Sequence, residues 1–339
     1  MATTTPAHPA RPSRRGLEAL APALVALGLA GCPGPSVAPY RVVSENLDEG
    51  LFSVNGRSAS DVWIAGSDSG SGPAVLHWDG TAWERHATGQ TGDLWWVHPA
   101  PGGAVWFGGE DGMILRHDGA SFERMTTPAT GVIVFGIWAA AADDVYAVGG
   151  AGGAAGFVWH YDGASWSTIT LPDHDGDAVF KVWGTTSSDV WVCGFGGLLY
   201  HYDGASWTRV ESTSTRTLLT LHAITGSVVA VGGAGTGVLV ERGADGAMHD
   251  VTPELAPQLM GVWLTPTGGR ASGINGAIFR RDASGWIEED TGLALSEQLH
   301  SVWIDPDGGV WSVGGQILAE PFSDGVVVYQ GEDVVTPIE

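Results

Sequence analysis

The chain has 339 residues, with 15 Lys and Arg against 38 Asp and Glu for a formal net charge of −23, and it contains 52 Gly, 16 Trp and 2 Cys. That acidic balance disfavours nucleic acid as a partner, because such binding rests on basic surface that neutralises phosphates. Two cysteines, one of them close to an N-terminal apolar segment, exclude a disulfide framework and leave packing to hold the core.

Residues 1–31 read as a lipoprotein signal peptide. Arg11, Arg14 and Arg15 precede an apolar run from Ala19 to Ala30, and Leu29-Ala30-Gly31-Cys32 then matches the bacterial lipobox. Cys32 is the expected lipidation site and mature N-terminus, and two acyl chains there give stable membrane anchoring without a span. Ser13 to Leu17 is also similar to a twin-arginine signal, so Sec and twin-arginine export both stay open. Loss of the signal moves the net charge from −23 to −25. Pro33, where inner-membrane lipoproteins of enteric bacteria carry an aspartate, favours the outer membrane. The expected location is therefore the bacterial cell envelope, facing the periplasm or the exterior.

Residues 32–50 read as the lipidated Cys and a flexible tether, because Pro33, Pro35 and Pro39 stand among polar residues. Arg41 to Val43 has a second reading, as an edge strand that closes the last repeat. The seventh repeat competes for that place with its own apparent fourth strand, Val326 to Gln330.

From Leu51 onward one unit recurs. Aligned on the residue three before a glycine, the copies fall at Trp63, Trp106, Tyr146, Trp191, Val229, Arg270 and Trp311, in steps of 43, 40, 45, 38, 41 and 41. A period near 40 with four short apolar runs per unit is that of a propeller blade. The fold class expected is all-β, a seven-bladed β-propeller of four-stranded antiparallel blades over 51–332, with a tail at 333–339. In the clearest unit the runs are Val179 to Gly184, Asp189 to Cys193, Leu198 to Tyr202 and Ser206 to Val210. Third and fourth runs are joined by Asp-Gly at Asp79, Asp118, Asp162, Asp203, Asp245 and Asp324, read as type I′ hairpins, while Asp282 with a displaced Gly285 predicts a different turn. Cys193 falls in a column shared with Ala65, Gly108, Val148 and Val231 and reads as core.

Asp-Gly-Ala-Ser-Trp at 162–166 and 203–207 resembles a shortened Asp-box, the hairpin of sialidase-type and other BNR-repeat propellers. The whole unit is similar to repeats of secreted or lipid-anchored bacterial propellers, most without an assigned activity. The resemblance implies architecture: the box ties a hairpin together away from any ligand. It also invites a sialidase-like glycoside hydrolase as the alternative function, which needs three arginines converging on a substrate carboxylate. Only Arg216 maps to the face where propellers usually bind ligands, and no catalytic constellation is recognisable.

Function is therefore sought on that face, which carries the blade-to-blade loops and the loops from second to third strand. The latter are longer in units 1, 3 and 5 and Gly/Ser-rich, reading as flexible lips. Lys181, the only lysine, lies in an inner-strand column with Ser53, Trp96, Gly136, Ala223, Gly261 and Ser301, where it either snorkels into a channel or holds an anionic ligand. His222 and His300 are read as equivalent positions, replacing the aromatics Phe52, Trp95, Phe135 and Phe180. Trp95, next to Trp96, is the tryptophan that the repeat explains least. Asp173, Asp175 and Asp177 form an acidic loop with one glycine, a solvated loop or the start of a calcium site. No other cofactor is implied. The expected module is a monomeric binding or scaffolding propeller for a protein or glycan.

Overall fold

The computed structural model describes residues 1–4, 38–152 and 154–339, so Cys32 and most of the expected export segment lie outside the described residues. Residues Val37–Glu339 form one unit of seven four-stranded antiparallel sheets. Their inner strands are Leu51–Ser58, Leu94–Pro99, Ile133–Ala141, Val179–Thr186, Leu218–Ile224, Leu259–Thr265 and Gln298–Ile304. Each packs on the next, and the last packs on the first, so the ring closes as a seven-bladed propeller. Second strands are buried on both faces between neighbouring blades, which is why they read as continuous apolar runs such as Val190-Trp191-Val192-Cys193.

The glycine that defines the repeat has a steric cause. Gly66, Gly109, Gly149, Gly194, Gly232, Gly273 and Gly314 each lie where a Cβ would come within 3.0 Å of a carbonyl oxygen, in every case that of the residue immediately before the inner-strand residue paired with it. The chain entering each blade crosses its second strand here, and only a residue without a side chain lets the two backbones approach.

The Asp-Gly turns hold by a different device from the one expected. Gly80, Gly119, Gly163 and Gly204 have φ of 91° to 98°, but the preceding aspartates do not have positive φ, so the turns are not type I′. Instead the carboxylate caps the loop: Asp203 Oδ1 accepts from Ala205 N at 2.9 Å and Ser206 N at 2.8 Å, and Asp79, Asp118 and Asp162 do the same. The sixth hairpin differs as its sequence predicts, with Asp282 paired to Gly285.

The seventh blade corrects two expectations. Ser323–Gln330 is its third strand, so Asp324-Gly325 begins a strand and is not a hairpin turn. The fourth strand is Tyr40–Leu47, from the other end of the chain, pairing Tyr40 with Gln330 and Val42 with Val328. The flexible tether read over 32–50 therefore does not include 40–47. Those residues close the ring because their apolar members have a buried edge to pair with, a partner invisible in local composition. The C-terminal tail joins them, Ile338 N donating to Ser44 Oγ at 2.8 Å. The lips of blades 3 and 5 are also strands rather than loose loops: Asp144–Ala151 with Ala154–Tyr161, and Ser227–Ala234 with Thr236–Arg242.

Repeated polar triads cement the blades. Asp61 Oδ1 accepts from Trp63 Nε1 at 2.8 Å and lies 2.9 Å from His77 Nε2, while the Trp63 and His77 rings stack at 4.1 Å. Asp189, Trp191 and His201 repeat this arrangement in blade 4. The recurring histidines before the turns are thus structural.

Candidate ligand-binding site on the loop face

A bulge recurs at one place in every blade and builds the site. Pairing of the inner with the second strand skips Phe52, Trp95, Phe135, Phe180, Leu219, Met260 and His300. A bulged residue leaves the ladder and re-aims its side chain. Here the result is a ring at the loop-face end of the inner strands: all of these except Phe52 line one cavity of about 200 Å³, and Phe52 stacks behind Trp95 at 4.3 Å. An inner-strand sequence alone does not show which of two adjacent apolar residues is the unpaired one.

One residue further along, the column of Lys181 reaches across to neighbouring blades. The true equivalents are Ser53, Trp96, Gly136, Thr220, Gly261 and Ser301, so Thr220 replaces the Ala223 expected from sequence. Ser53 Oγ accepts from Val97 N at 3.2 Å, Ser301 Oγ from Val54 N at 3.2 Å, and Trp96 Nε1 donates to Ile137 O at 2.8 Å. Lys181 is 5% exposed. Its Nζ donates to Phe135 O at 3.1 Å and sits 3.2 Å from the Trp96 ring centroid, a cation–π contact. Among the described residues no carboxylate forms an ion pair with it. Burial pulls its pKa down to about 7.

His222 and His300 both line the cavity but are not equivalent. His222 pairs with Val229 and so occupies the column of Asn55, His98, Trp138, Trp183, Trp263 and Trp303, three residues beyond Leu219, the equivalent of His300. The fifth inner strand has no Trp in this column, and its Ile224-Thr225-Gly226 matches Val182-Trp183-Gly184 after a shift of three. With Trp263 at 4.0 Å and Trp183 at 4.6 Å, the His222 ring forms the floor. Trp183 and Trp263 also line a hollow on the opposite face, so these rings separate the two ends of the axis. His222 Nδ1 accepts from Leu264 N at 3.1 Å, which fixes its proton on Nε2. His300 Nδ1 faces Phe52 O at 2.5 Å and so carries the proton. Burial keeps both neutral, with pKa values lowered to about 3 and about 4.

The remaining sequence candidates lie elsewhere. Arg216 is exposed, and its guanidinium donates to Gly237 O at 2.8 Å within blade 5. Asp173 and Asp175 are exposed and Asp177 half-buried on the loop before the fourth blade, where Asp177 O faces His174 Nε2 at 2.9 Å. Among the described residues no three His, Cys, Asp or Glu side chains gather to hold a metal ion. No arginine lines the axial cavity.

A second hollow, which sequence reading missed, adjoins the cavity mouth. Asp48, Asp68, Asp93, Glu110 and Glu320 line it together with Phe322, whose ring meets Phe52 at 5.2 Å and Trp95 at 5.7 Å. Burial pushes Asp93 up to about 6, and the charges of Glu110, Glu320 and Asp68 add to it, against the N–H of Asp68 that it accepts. Its residues come from blades 1, 2 and 7 and share no repeat column, so no periodic signal marks them.

No protein-family model matches the chain, and no curated protein does. Solved structures share the fold. YCF48 from Cyanidioschyzon merolae superposes with a TM-score of 0.66 at 14% identity, over 88% of this chain and 100% of that one. YCF48 bound to D1 peptide gives 0.64 at 13% identity, over 88% and 100%. The extracellular domain of a putative hybrid two-component system from B. thetaiotaomicron gives 0.63 at 11% identity, over 87% of this chain and 42% of that one.

Proposed function

We propose that this protein is a membrane-tethered, extracytoplasmic binding propeller that takes an apolar group of a protein ligand into the axial cavity of its loop face. The observation that carries this reading is the convergence of Trp95, Phe135, Phe180, Lys181 and His300, from four different blades, on one cavity. An apolar cavity of about 150 Å³ holds a benzene molecule, so about 200 Å³ suits one aromatic or branched side chain. A sugar chain instead needs open aromatic faces, and here Trp95 and Phe52 are stacked on each other. Of the structural neighbours, one was solved with a bound peptide and another is an extracellular domain. Fold likeness carries no function by itself, so these agree with the reading without deciding it.

Phe180 is half-buried at the cavity mouth, and Phe180→Arg would fill it while leaving the blade core untouched. In a pull-down from envelope extract with residues 38–339, partners retained by wild type are expected to fall at least about tenfold in Phe180→Arg. They should persist when Asp173, Asp175 and Asp177 are all changed to Asn. Identical partner sets in all three proteins would remove the cavity as the site.

Tethering is tested separately. Full-length protein should fractionate with membranes, and Cys32→Ser should release it or leave it unprocessed, with loss of labelled palmitate. Palmitate incorporation into Cys32→Ser would end the lipid-anchor reading.

A further inference from the structure

Lys181 is a buried amine without a counter-ion, and burial disfavours its charged form. Its three N–H groups meet one carbonyl, Phe135 O, and its charge rests on the Trp96 ring. Of the ionisable groups that act on it, the Cys193 thiol is held protonated by burial and His300 is neutral. Holding a charge in such surroundings costs several kcal/mol, so the amine tends to shed its proton unless an anion arrives to keep it charged. A neutral residue suffices to tie this column to a neighbouring blade: Ser53 and Ser301 each accept a backbone N–H and Trp96 donates to a carbonyl, all toward the following blade, whereas Lys181 donates back to Phe135 O in the preceding one. The wall holds a second unspent donor, because the Trp95 indole N–H is buried with no partner. Around these donors Phe135, Phe180, Leu219, Met260 and Ile317 are apolar, and Gln258 and Thr220 are further polar members of the lining.

Resting on the binding reading above, we infer that the axial cavity recognises a single carboxylate carried on an apolar body, with the anion against Lys181 and the body within the aromatic ring. The charge is limited to one because the acidic hollow beside the mouth, and the net charge of −23, repel polyanions. Phosphate esters and nucleotides are therefore poor fits. Two sources present this chemistry: a free aryl or alkyl carboxylic acid, and the C-terminal residue of a peptide.

Tryptophans in the wall make intrinsic fluorescence the readout. Phenylacetate is titrated into residues 38–339 against phenylacetamide, its neutral isostere, in wild type and in Lys181→Met. Wild type is expected to bind the acid about tenfold or more tighter than the amide, the difference expected of a charge-assisted contact. Lys181→Met should lose that preference while still binding the amide, which shows that its cavity remains intact. Ala-Ala-Phe with a free C-terminus and with a C-terminal amide forms the second arm. Preference for the free peptide over phenylacetate assigns the site to peptide ends, and the reverse assigns it to small acids. Equal binding of acid and amide by wild type would overturn the carboxylate inference and leave the cavity reading standing. Binding of none of the four probes would overturn both.

Discussion

A chain cut at the boundary read from sequence, residues 51–332, is expected to melt about 6 °C or more below one spanning 38–339. The cut removes Tyr40–Leu47, the outer strand of blade 7. Tyr40 and Val43 are buried, and Leu47 packs against the same core. Burying side chains of this size stabilises by about 1.5–3 kcal/mol each, so the loss is at least about 4 kcal/mol. Tyr40 also ties two blades, its hydroxyl donating to Glu289 at 2.9 Å and accepting from Arg270 Nε at 3.2 Å. Its removal turns Ser323–Gln330 into an exposed edge carrying Val326-Val327-Val328-Tyr329, a template for pairing between chains. Thermal unfolding and size-exclusion chromatography read both effects. A third chain, 38–332, separates the contribution of the tail. Equal melting of 51–332 and 38–339, with both monomeric, would show that the N-terminal strand does not hold the ring.

Stability is expected to fall steeply as pH drops from about 6.5 to 4.5. His98, His222 and His300 are held neutral by burial, with pKa values near 3, 3 and 4. An unfolded histidine titrates near ~6.5. Below that value the unfolded chain takes up protons that the native one refuses, so acid favours unfolding, by about 1.4 kcal/mol per histidine per pH unit. His86 and His117, also lowered by burial, act in the same direction. Asp93 opposes them: its carboxyl is raised to about 6, so the native state gains a proton first and one histidine is roughly offset. The net loss by pH 4.5 is roughly 4–6 kcal/mol. Denaturant midpoints measured at half-unit pH steps test this, and His300→Phe, which installs the residue found at the equivalent place in blades 1, 3 and 4, should flatten the slope. Constant midpoints from pH 7 to 4.5 would refute the assignment.

Much of this molecule is legible in its sequence because the same local forces act seven times. The glycine three residues after Trp191 recurs since every blade crosses its second strand at the same close approach. Asp203 recurs since the same carboxylate caps two backbone N–H groups in the hairpins of the first four blades. Burial on both faces writes the apolar runs. Landmarks fail where a blade lacks them: without a Trp in that column the fifth inner strand could be aligned three residues out, and only its ladder with Ser227–Ala234 separates His222 from Leu219.

Three features are not settled by the repeat. The strand that closes the ring comes from a segment whose composition suits a linker equally well, and its partner lies about 290 residues away. Bulges decide which of two neighbouring side chains turns to the axis, a choice made by backbone geometry. The axial cavity and its acidic neighbour are assembled from several blades at once. Repetition in a sequence records what each blade requires for itself; closure and the site are set by contacts between blades, and those depend on the whole circle being in place.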